Sequence, residues 1–234
     1  MKYSLQIAHL YGDLMNTYGD IGNIYALQYY GKFMDTEIIP QLISLNDTFN
    51  ADDFDLVLFG GGQDFEQKVV SKDLLKKSSQ ITKFIENNGV FLGVCGGFQL
   101  IGKYYVTAEG EKVMGSGSLD HYTLNQNENR FIGNTIIEDP ITHNKYHGFE
   151  NHQGMTFLGK KGTSLGKVLE GYGNNGKDKT EGVHYKNTYG TYFHGPILTR
   201  NPKLAQELLI QALKNHYPNI DFNNFEKLSF PPTF

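Results

Sequence analysis

The sequence has a single cysteine, no tryptophan, no long apolar run and no excess of positive charge. One cysteine excludes an internal disulfide, which favours a reducing, cytoplasmic setting. No apolar run approaches the roughly 20 residues that span a bilayer, and the first residues lead into a strand-like stretch without the apolar region of a secretory signal. The formal net charge of −4 lacks the basic footprint of a protein that binds nucleic acid or a membrane surface.

The 234 residues suffice for one domain with a full core, and no linker-like change of composition divides them. We therefore expect a single domain over residues 1–234. Short apolar runs over residues 54–59 and 90–94 are typical of buried parallel strands. They alternate with helical patterns, which predicts an α/β fold: a mostly parallel sheet with helices on both faces. Residues 106–179 are rich in Gly, Asn and Thr and predict an antiparallel edge with long loops.

The predicted elements are strands over 5–10, 37–45, 54–59, 90–94, 131–137, 183–184 and 189–193, and helices over 22–33, 71–88, 98–105 and 202–215. The tail over residues 218–234 shows no clear period, and its Phe222, Phe225 and Phe230 are expected to pack either on the core or on a partner.

Cys95 lies between a predicted buried strand and a predicted helix, with Gly93 before it and Gly96 and Gly97 after it. This order is typical of a nucleophile elbow, in which a strained residue at the end of a strand presents its side chain to a ligand. The helix N-terminus is expected to favour the thiolate, and the Gly96 N–H to face an oxyanion. The alternative is a buried structural cysteine.

A second oxyanion donor is expected from a neighbouring loop. Gly60, Gly61 and Gly62 follow the preceding buried strand, where glycines allow the backbone to approach a ligand closely. The alternative is a plain turn. Phosphate binding is disfavoured because the Lys-Ser/Thr pair of a P-loop is absent from this turn.

A thiol nucleophile also needs a base. Of eight histidines, His194 stands at the end of an apolar strand, before Gly195 and Pro196, and is therefore expected at the same sheet edge as Cys95. His152 is interpreted as a residue that organises its loop. The Tyr-Gly-Asp triplet occurs twice within residues 11–23, and that segment is interpreted either as a cap for the following helix or as a polar rim over the site.

Together these motifs resemble class I glutamine amidotransferases, specifically the cobyric acid synthase-like (CobB/CobQ) branch. Within that branch the chain is most similar to the GatD family, the glutaminase subunits of lipid II isoglutaminyl synthases. The resemblance spans about residues 3–213. It rests on the segments 18–23, 60–64, 93–99, 129–134, 148–154, 171–175 and 192–196.

The resemblance implies that Cys95 attacks the side-chain amide of glutamine and that His194 transfers the protons. It implies that Arg130 binds the α-carboxylate and that Gln99 contacts the substrate. No cofactor is expected in this chain. ATP and metal are expected on a MurT-like Mur ligase that forms a heterodimer with it and uses the ammonia to amidate the D-glutamate of lipid II.

One departure from the family pattern concerns the third catalytic residue. Most class I glutaminases place a glutamate two positions after the histidine, where this sequence has Pro196. The resemblance therefore implies a Cys-His dyad, with Glu150 as the candidate for a third member and low activity for the isolated subunit. Three alternatives stay open: an amidotransferase for another acceptor such as a corrinoid, a non-catalytic partner-binding subunit, and a cysteine hydrolase acting on other amides.

Overall fold

The computed structural model describes residues 1–126 and 130–231. Asn129, which opens one of the motifs, and residues 232–234 of the tail lie outside these ranges. The strands are Tyr3–Leu10 (β1), Thr36–Ile43 (β2), Leu56–Phe59 (β3), Val90–Val94 (β4), Tyr104–Val106 (β5), Lys112–Met114 (β6), Tyr122–Asn125 (β7), Phe131–Glu138 (β8), Lys145–His152 (β9), Gly154–Phe157 (β10), Gly166–Glu170 (β11), Thr180–Glu181 (β12), Val183–Tyr185 (β13), Thr188–Thr191 (β14) and Phe193–His194 (β15). The helices are Gly22–Phe33 (α1), Asp64–Glu86 (α2), Gly96–Ile101 (α3), Ile197–Arg200 (α4), Pro202–His216 (α5) and Asn223–Glu226 (α6).

The central sheet has six strands in the order β13-β14-β4-β3-β1-β2. Five are parallel, and β13 adds an antiparallel edge beside β14. The middle strands β3 and β4 are fully buried, as continuous apolar runs in a covered sheet must be. One face packs against α1 and α5, and the other against α2 and α3. The predicted α/β architecture, with helices on both faces and an antiparallel edge, is confirmed.

The middle of the chain contains more regular structure than the sequence indicates. Residues 104–157 form a four-stranded sheet in the order β10-β7-β5-β6. Its two antiparallel pairs, β7–β10 and β5–β6, are joined by a parallel contact between β5 and β7. A five-stranded antiparallel sheet, β12-β11-β8-β9-β15, brings His194 next to the long β8–β9 hairpin. Residues 106–179, which were expected to form the antiparallel edge, therefore contribute to two separate sheets, and the antiparallel edge of the central sheet is β13.

Some predicted boundaries are wrong. The helix expected over 98–105 begins at Gly96 and ends at Ile101, and residues 104–106 form a strand because they pair with β6. The long helix begins at Asp64 instead of Ser71. The strand expected over 189–193 is divided: β14 stays in the central sheet, and β15 joins the antiparallel one.

The C-terminal tail packs on the core. Phe230 is buried and stacks on Tyr30, with ring centroids 4.7 Å apart. Phe222 and Phe225 lie against the same cluster. No helix within residues 1–126 and 130–231 is long and apolar enough to span a membrane.

The register of the central strands places four chain segments at one edge of the sheet. Leu10 pairs with Phe59, Phe59 with Gly93, and Val94 with Thr191. The residues that follow these strands therefore leave the sheet together. They are the loop 11–21, the glycines 60–62, Cys95, and the segment 192–194.

Candidate active site

Cys95 occupies the sharp turn between β4 and α3, with φ 49° and ψ −101°. This region of φ/ψ space is unfavourable for a residue with a Cβ atom, so the surrounding structure must hold it. Its N–H donates to the Thr191 carbonyl at 2.8 Å, and its carbonyl accepts from the Gln99 N–H at 2.9 Å. The turn needs Gly97, because a Cβ there would lie 2.1 Å from the Phe59 carbonyl oxygen. The predicted elbow geometry is therefore present.

A cavity of roughly 460 Å³ opens beside the Cys95 side chain. Five residues singled out from the sequence line it: Gly62, Cys95, Gln99, Arg130 and His194. Thr17, Tyr18 and His152 line it as well. Gly61 and Gly96 are not part of the lining, but a Cβ on Gly61 would lie 3.3 Å from Cys95 Cβ, and Gly96 follows Cys95 in the chain. The chain thus brings its predicted functional residues to one site.

His194 is buried beside the nucleophile. A Cβ placed on Gly61 would lie 3.2 Å from His194 Cε1 and 3.3 Å from Cys95 Cβ, so the imidazole and the thiol flank the same glycine. The Tyr18 ring covers the imidazole. Among the residues the structure describes, neither ring nitrogen of His194 has a hydrogen-bond partner.

Glu150, the candidate for a third catalytic member, serves another part of the structure. Its carboxylate accepts hydrogen bonds from the N–H groups of Tyr172 (2.7 Å) and Gly173 (2.9 Å). It also lies 3.8 Å from His152 Nε2. The His152 ring stacks on Tyr192 at 3.5 Å, which agrees with its interpretation as an organising residue. Glu150 thus fixes the 171–173 loop and His152 and does not orient His194.

The resting thiol and imidazole are both neutral. Burial raises the pKa of Cys95 to about 12, and the charge of Asp20 adds to the rise, while a hydrogen bond from the Gly96 N–H lowers it. Burial lowers the pKa of His194 to about 4, helped by His152 and Arg130. The Gly96 N–H at the helix N-terminus favours the thiolate, as expected, but desolvation outweighs it and keeps the thiol protonated.

The N–H groups of Gly61, Gly62 and Gly96, the three candidate oxyanion donors, have different hydrogen-bond partners. The Gly96 N–H faces the Cys95 sulfur. The Gly62 N–H has no hydrogen-bond partner in the described part of the chain. The Gly61 N–H donates to Asp20 Oδ2 at 2.7 Å, so it does not take the donor role expected of it. Gly62 and Gly96 remain as the pair that can face an oxyanion.

Arg130 is held at the mouth of the cavity. Its Nε donates to the side-chain oxygen of Asn151, and its Nη2 donates to the Asn151 carbonyl at 3.4 Å. The Asn151 amide in turn donates to the Tyr18 hydroxyl. Gln99 is buried, and its amide donates to the Tyr192 hydroxyl at 3.2 Å. The exposed guanidinium keeps further N–H groups for a carboxylate.

Sequence reasoning did not identify the roles of Asp20, Tyr18, Asn151 and Glu181. The repeated Tyr-Gly-Asp triplet was the available signal for the first two. Of the two interpretations of the segment 11–23, the polar rim agrees with the structure, since Tyr18 lines the cavity. No side chain caps α1, and the Asp20 backbone carbonyl accepts from the Asn23 N–H (2.9 Å) at its start. Within residues 1–126 and 130–231, no group of three or more His, Cys, Asp or Glu side chains is placed to hold a metal ion.

Comparisons with known proteins agree with this site. The model of the CobB/CobQ-like glutamine amidotransferase domain matches residues 6–202. The GatD subunit of the lipid II isoglutaminyl synthase (glutamine-hydrolyzing) of Streptococcus pneumoniae is 52% identical, over 92% of this chain and 83% of that protein. The corresponding subunit of Staphylococcus aureus is 42% identical, over 90% of this chain and 85% of that protein.

Solved structures agree on the fold. A chain of the PurLQS structure from Thermotoga maritima has a TM-score of 0.60 at 16% identity, covering 92% of this chain and 99% of that one. At this identity the likeness concerns the fold alone. The family match and the two relatives go further: the chain belongs to the CobB/CobQ-like glutamine amidotransferases and, within them, to the GatD family.

Proposed function

We propose that this chain is the glutaminase subunit of a lipid II isoglutaminyl synthase, which hydrolyses L-glutamine to glutamate and ammonia. One observation carries the proposal. Cys95, held at positive φ at the end of β4, shares a single cavity with His194 and Arg130. A strained thiol, a neutral base and a carboxylate-binding cation are the groups that amide hydrolysis of an amino acid requires.

Substrate binding begins at Arg130. Its guanidinium fork suits the α-carboxylate of free glutamine, and Asn151 holds that fork in place. Gln99, further inside the cavity, contributes an amide to substrate contacts. The side-chain amide of glutamine then lies against Cys95, with its carbonyl oxygen towards the N–H groups of Gly62 and Gly96.

The reaction proceeds through a thioester. The Cys95 sulfur bonds to the amide carbon while His194 takes the thiol proton, and the oxyanion is held by Gly62 and Gly96. The carbon–nitrogen bond then breaks, and His194 returns the proton to the departing nitrogen, which leaves as ammonia. Water, deprotonated by His194, attacks the thioester and releases glutamate and the free thiol.

The charge state of the thiol and the imidazole favours a slow reaction in the isolated subunit. With the pKa of the thiol near 12 and that of the imidazole near 4, proton transfer between them is unfavourable until substrate and oxyanion contacts form. Among the described residues no carboxylate stabilises the His194 imidazolium. We therefore expect low glutaminase activity for the chain alone and higher activity in complex.

The proposed partner is a MurT-like Mur ligase subunit that binds ATP and metal in the cytoplasm. It would activate the α-carboxyl group of D-glutamate in lipid II, and the ammonia released at Cys95 would convert that group to an amide. Two relatives at 52% and 42% identity are named as subunits of such a synthase, which supports this acceptor over a corrinoid.

The test uses the chain together with its partner ligase. Cys95→Ala is expected to abolish glutamate release while the circular dichroism spectrum stays unchanged. His194→Ala tests the base in the same assay. His143→Ala, which alters an exposed histidine, is its matched control. Nitrogen-15 from amide-labelled glutamine should appear in lipid II. Glutamate release that survives Cys95→Ala would refute the mechanism, whereas release without transfer to lipid II would point to another acceptor.

Labelling separates the catalytic proposal from a subunit that only binds a partner. A glutamine-like diazoketone should modify Cys95 in the wild-type chain and leave the Cys95→Ala variant unmodified. Comparison of glutamine with asparagine and small peptide amides tests the third possibility, a cysteine hydrolase of other amides.

A further inference from the structure

Asp20 is a buried acid at the active-site edge that the mechanism above does not use. Its side chain has no solvent-accessible surface. Oδ2 accepts the Gly61 N–H at 2.7 Å, and Oδ1 has no partner among the described residues. A buried carboxyl group with one free oxygen costs stability, so its retention needs a reason.

Helix capping is not that reason. The residue before α1 is Ile21, and no side chain caps this helix N-terminus. The side chain that supports the Ile21 N–H belongs to Asn16, at 2.8 Å. Asp20 contributes only its backbone carbonyl to the start of the helix. Its carboxylate is directed to Gly61 alone.

Two bonds from the same loop hold Gly61 on both sides. Asp20 accepts the Gly61 N–H, and the Thr17 N–H donates to the Gly61 carbonyl at 3.0 Å. In a planar trans peptide the N–H of the next residue points opposite to that carbonyl. The Thr17 bond therefore sets the direction of the Gly62 N–H, and the Asp20 bond holds the preceding Gly60–Gly61 peptide, so the loop 17–20 fixes both peptides.

We propose that Asp20 is a positioning residue for glutamine hydrolysis: it fixes the Gly60–Gly61 peptide and, together with the Thr17 bond to the Gly61 carbonyl, keeps the Gly62 N–H facing the oxyanion. This inference rests on the proposed glutaminase function. It also assigns a role to the second Tyr-Gly-Asp triplet. The first triplet differs from it, because Asp13 is exposed and bonds the Ser44 hydroxyl.

The packing around Gly61 makes this position sensitive. A Cβ at Gly61 would lie 3.2 to 3.3 Å from His194 Cε1, Cys95 Cβ and Asp20 Oδ2, so the loop fits closely between the thiol and the imidazole. Without the Asp20 acceptor, the Gly60–Gly61 peptide keeps only the bond from the Gly97 N–H to the Gly60 carbonyl (3.0 Å), and the Gly61 backbone can turn so that the Gly62 N–H no longer faces the reacting carbon. Asp20 also acts on the nucleophile: burial raises the pKa of Asp20 itself to about 7, and above that pH its negative charge raises the pKa of the Cys95 thiol.

The test compares three variants in the complete complex with the partner ligase. Asp20→Ala removes the acceptor for the Gly61 N–H. It is expected to lower kcat for glutamine hydrolysis by about 100-fold, which is the effect of losing one oxyanion donor. KM should change by less than about threefold, because Arg130 binds the substrate. Asp20→Asn keeps an acceptor oxygen for the Gly61 N–H and should retain kcat within about fivefold. Asp13→Ala is the matched control and should behave as wild type.

A second measurement addresses the charge of Asp20. The rate of Cys95 alkylation by iodoacetamide should begin to rise at lower pH in Asp20→Asn than in wild type, since a negative charge near the sulfur is lost. Asp64 and Arg130, the other charged groups that act on the thiol, are unchanged in this variant.

The outcomes separate the two proposals. If the wild-type complex releases no glutamate, the proposed function fails. If it does, and Asp20→Ala has a wild-type kcat, the positioning role is refuted alone. Should Asp20→Ala not fold, the folded Asp20→Asn variant decides: a kcat loss beyond about fivefold would overturn the inference.

Discussion

The ring of Tyr18 lies 4.5 Å from the imidazole of His194 and is tilted by 50° to it. The Tyr18 hydroxyl accepts a hydrogen bond from Asn151, which also holds the guanidinium of Arg130. A continuous set of contacts therefore joins the expected base to the expected carboxylate-binding residue. Tyr18 is 48% exposed, so this connection forms part of the cavity mouth.

Removal of the Tyr18 ring is expected to expose His194. In Tyr18→Ala the pKa of His194 should rise from about 4 towards its ordinary value of 6.5, because burial is the main cause of its depression. Histidine NMR titration of the variant measures this directly. Tyr25→Ala, at an exposed tyrosine outside the cavity lining, is the control. An unchanged His194 pKa in Tyr18→Ala would contradict the covering role.

Backbone strain at Cys95 should be measurable as stability. Glycine adopts the Cys95 backbone conformation without a Cβ clash, whereas alanine keeps the strain. We expect the free energy of unfolding of Cys95→Gly to be about 1 kcal/mol larger than that of Cys95→Ala. This difference already allows for the larger conformational entropy that glycine gives the unfolded chain. Urea unfolding of both inactive variants provides the comparison. Equal stabilities would mean that the turn stores no strain.

Substrate affinity should depend on the planar fork of Arg130. Arg130→Lys keeps the charge but loses two-point binding of a carboxylate, and Arg130→Ala loses both. We expect KM for glutamine to rise by about tenfold for lysine and about 100-fold for alanine, with kcat changed much less. Arg200→Ala, at an exposed arginine outside the cavity lining, controls for net charge. A loss confined to kcat would assign Arg130 to the chemical step instead.

Local sequence patterns were sufficient to predict the elements that form the active-site edge of the central sheet. The bounds of α1 and of β4 agree with the sequence prediction, because strong periodicity and flanking glycines mark both. Since parallel strands end at one edge, the same reasoning brought Cys95 and His194 together.

The features that could not be predicted from the sequence depend on contacts between segments that are distant along the chain. The Asp20–Gly61 bond spans 41 residues, and nothing local distinguishes Asp20 from Asp13. Residues 104–106 form a strand only because β6 and β7 lie beside them. The neutral state of the thiol follows from burial, which outweighs the helix N-terminus visible in the sequence.

Glu181 is the remaining buried acid near the site, and no local pattern marks it. One carboxyl oxygen, Oε1, accepts both the Thr191 hydroxyl (2.9 Å) and the Tyr192 N–H (2.7 Å). The other, Oε2, is buried without a partner among the described residues. The Thr191 carbonyl accepts the Cys95 N–H, so Glu181 supports the strand that holds the nucleophile. Burial raises its pKa from 4.5 to about 8.

This shift predicts a specific pH dependence of stability. Between pH 4.5 and about 8 the folded chain keeps the Glu181 proton that the unfolded chain has lost. The contribution of Glu181 to stability is therefore complete below pH 4.5 and falls as pH rises, by up to about 1.4 kcal/mol per pH unit, until it levels off above pH 8.

Glu181→Gln cannot ionise and should remove that slope. Urea unfolding of wild type and variant at pH 5, 6, 7 and 8 is expected to show the variant gaining stability relative to wild type at each step. Glu226→Gln, at an exposed glutamate of α6, serves as the control and should follow wild type. Parallel profiles for wild type and Glu181→Gln would mean that Glu181 is already ionised in the folded protein. In that case an internal cation or water, and not a proton, would satisfy Oε2.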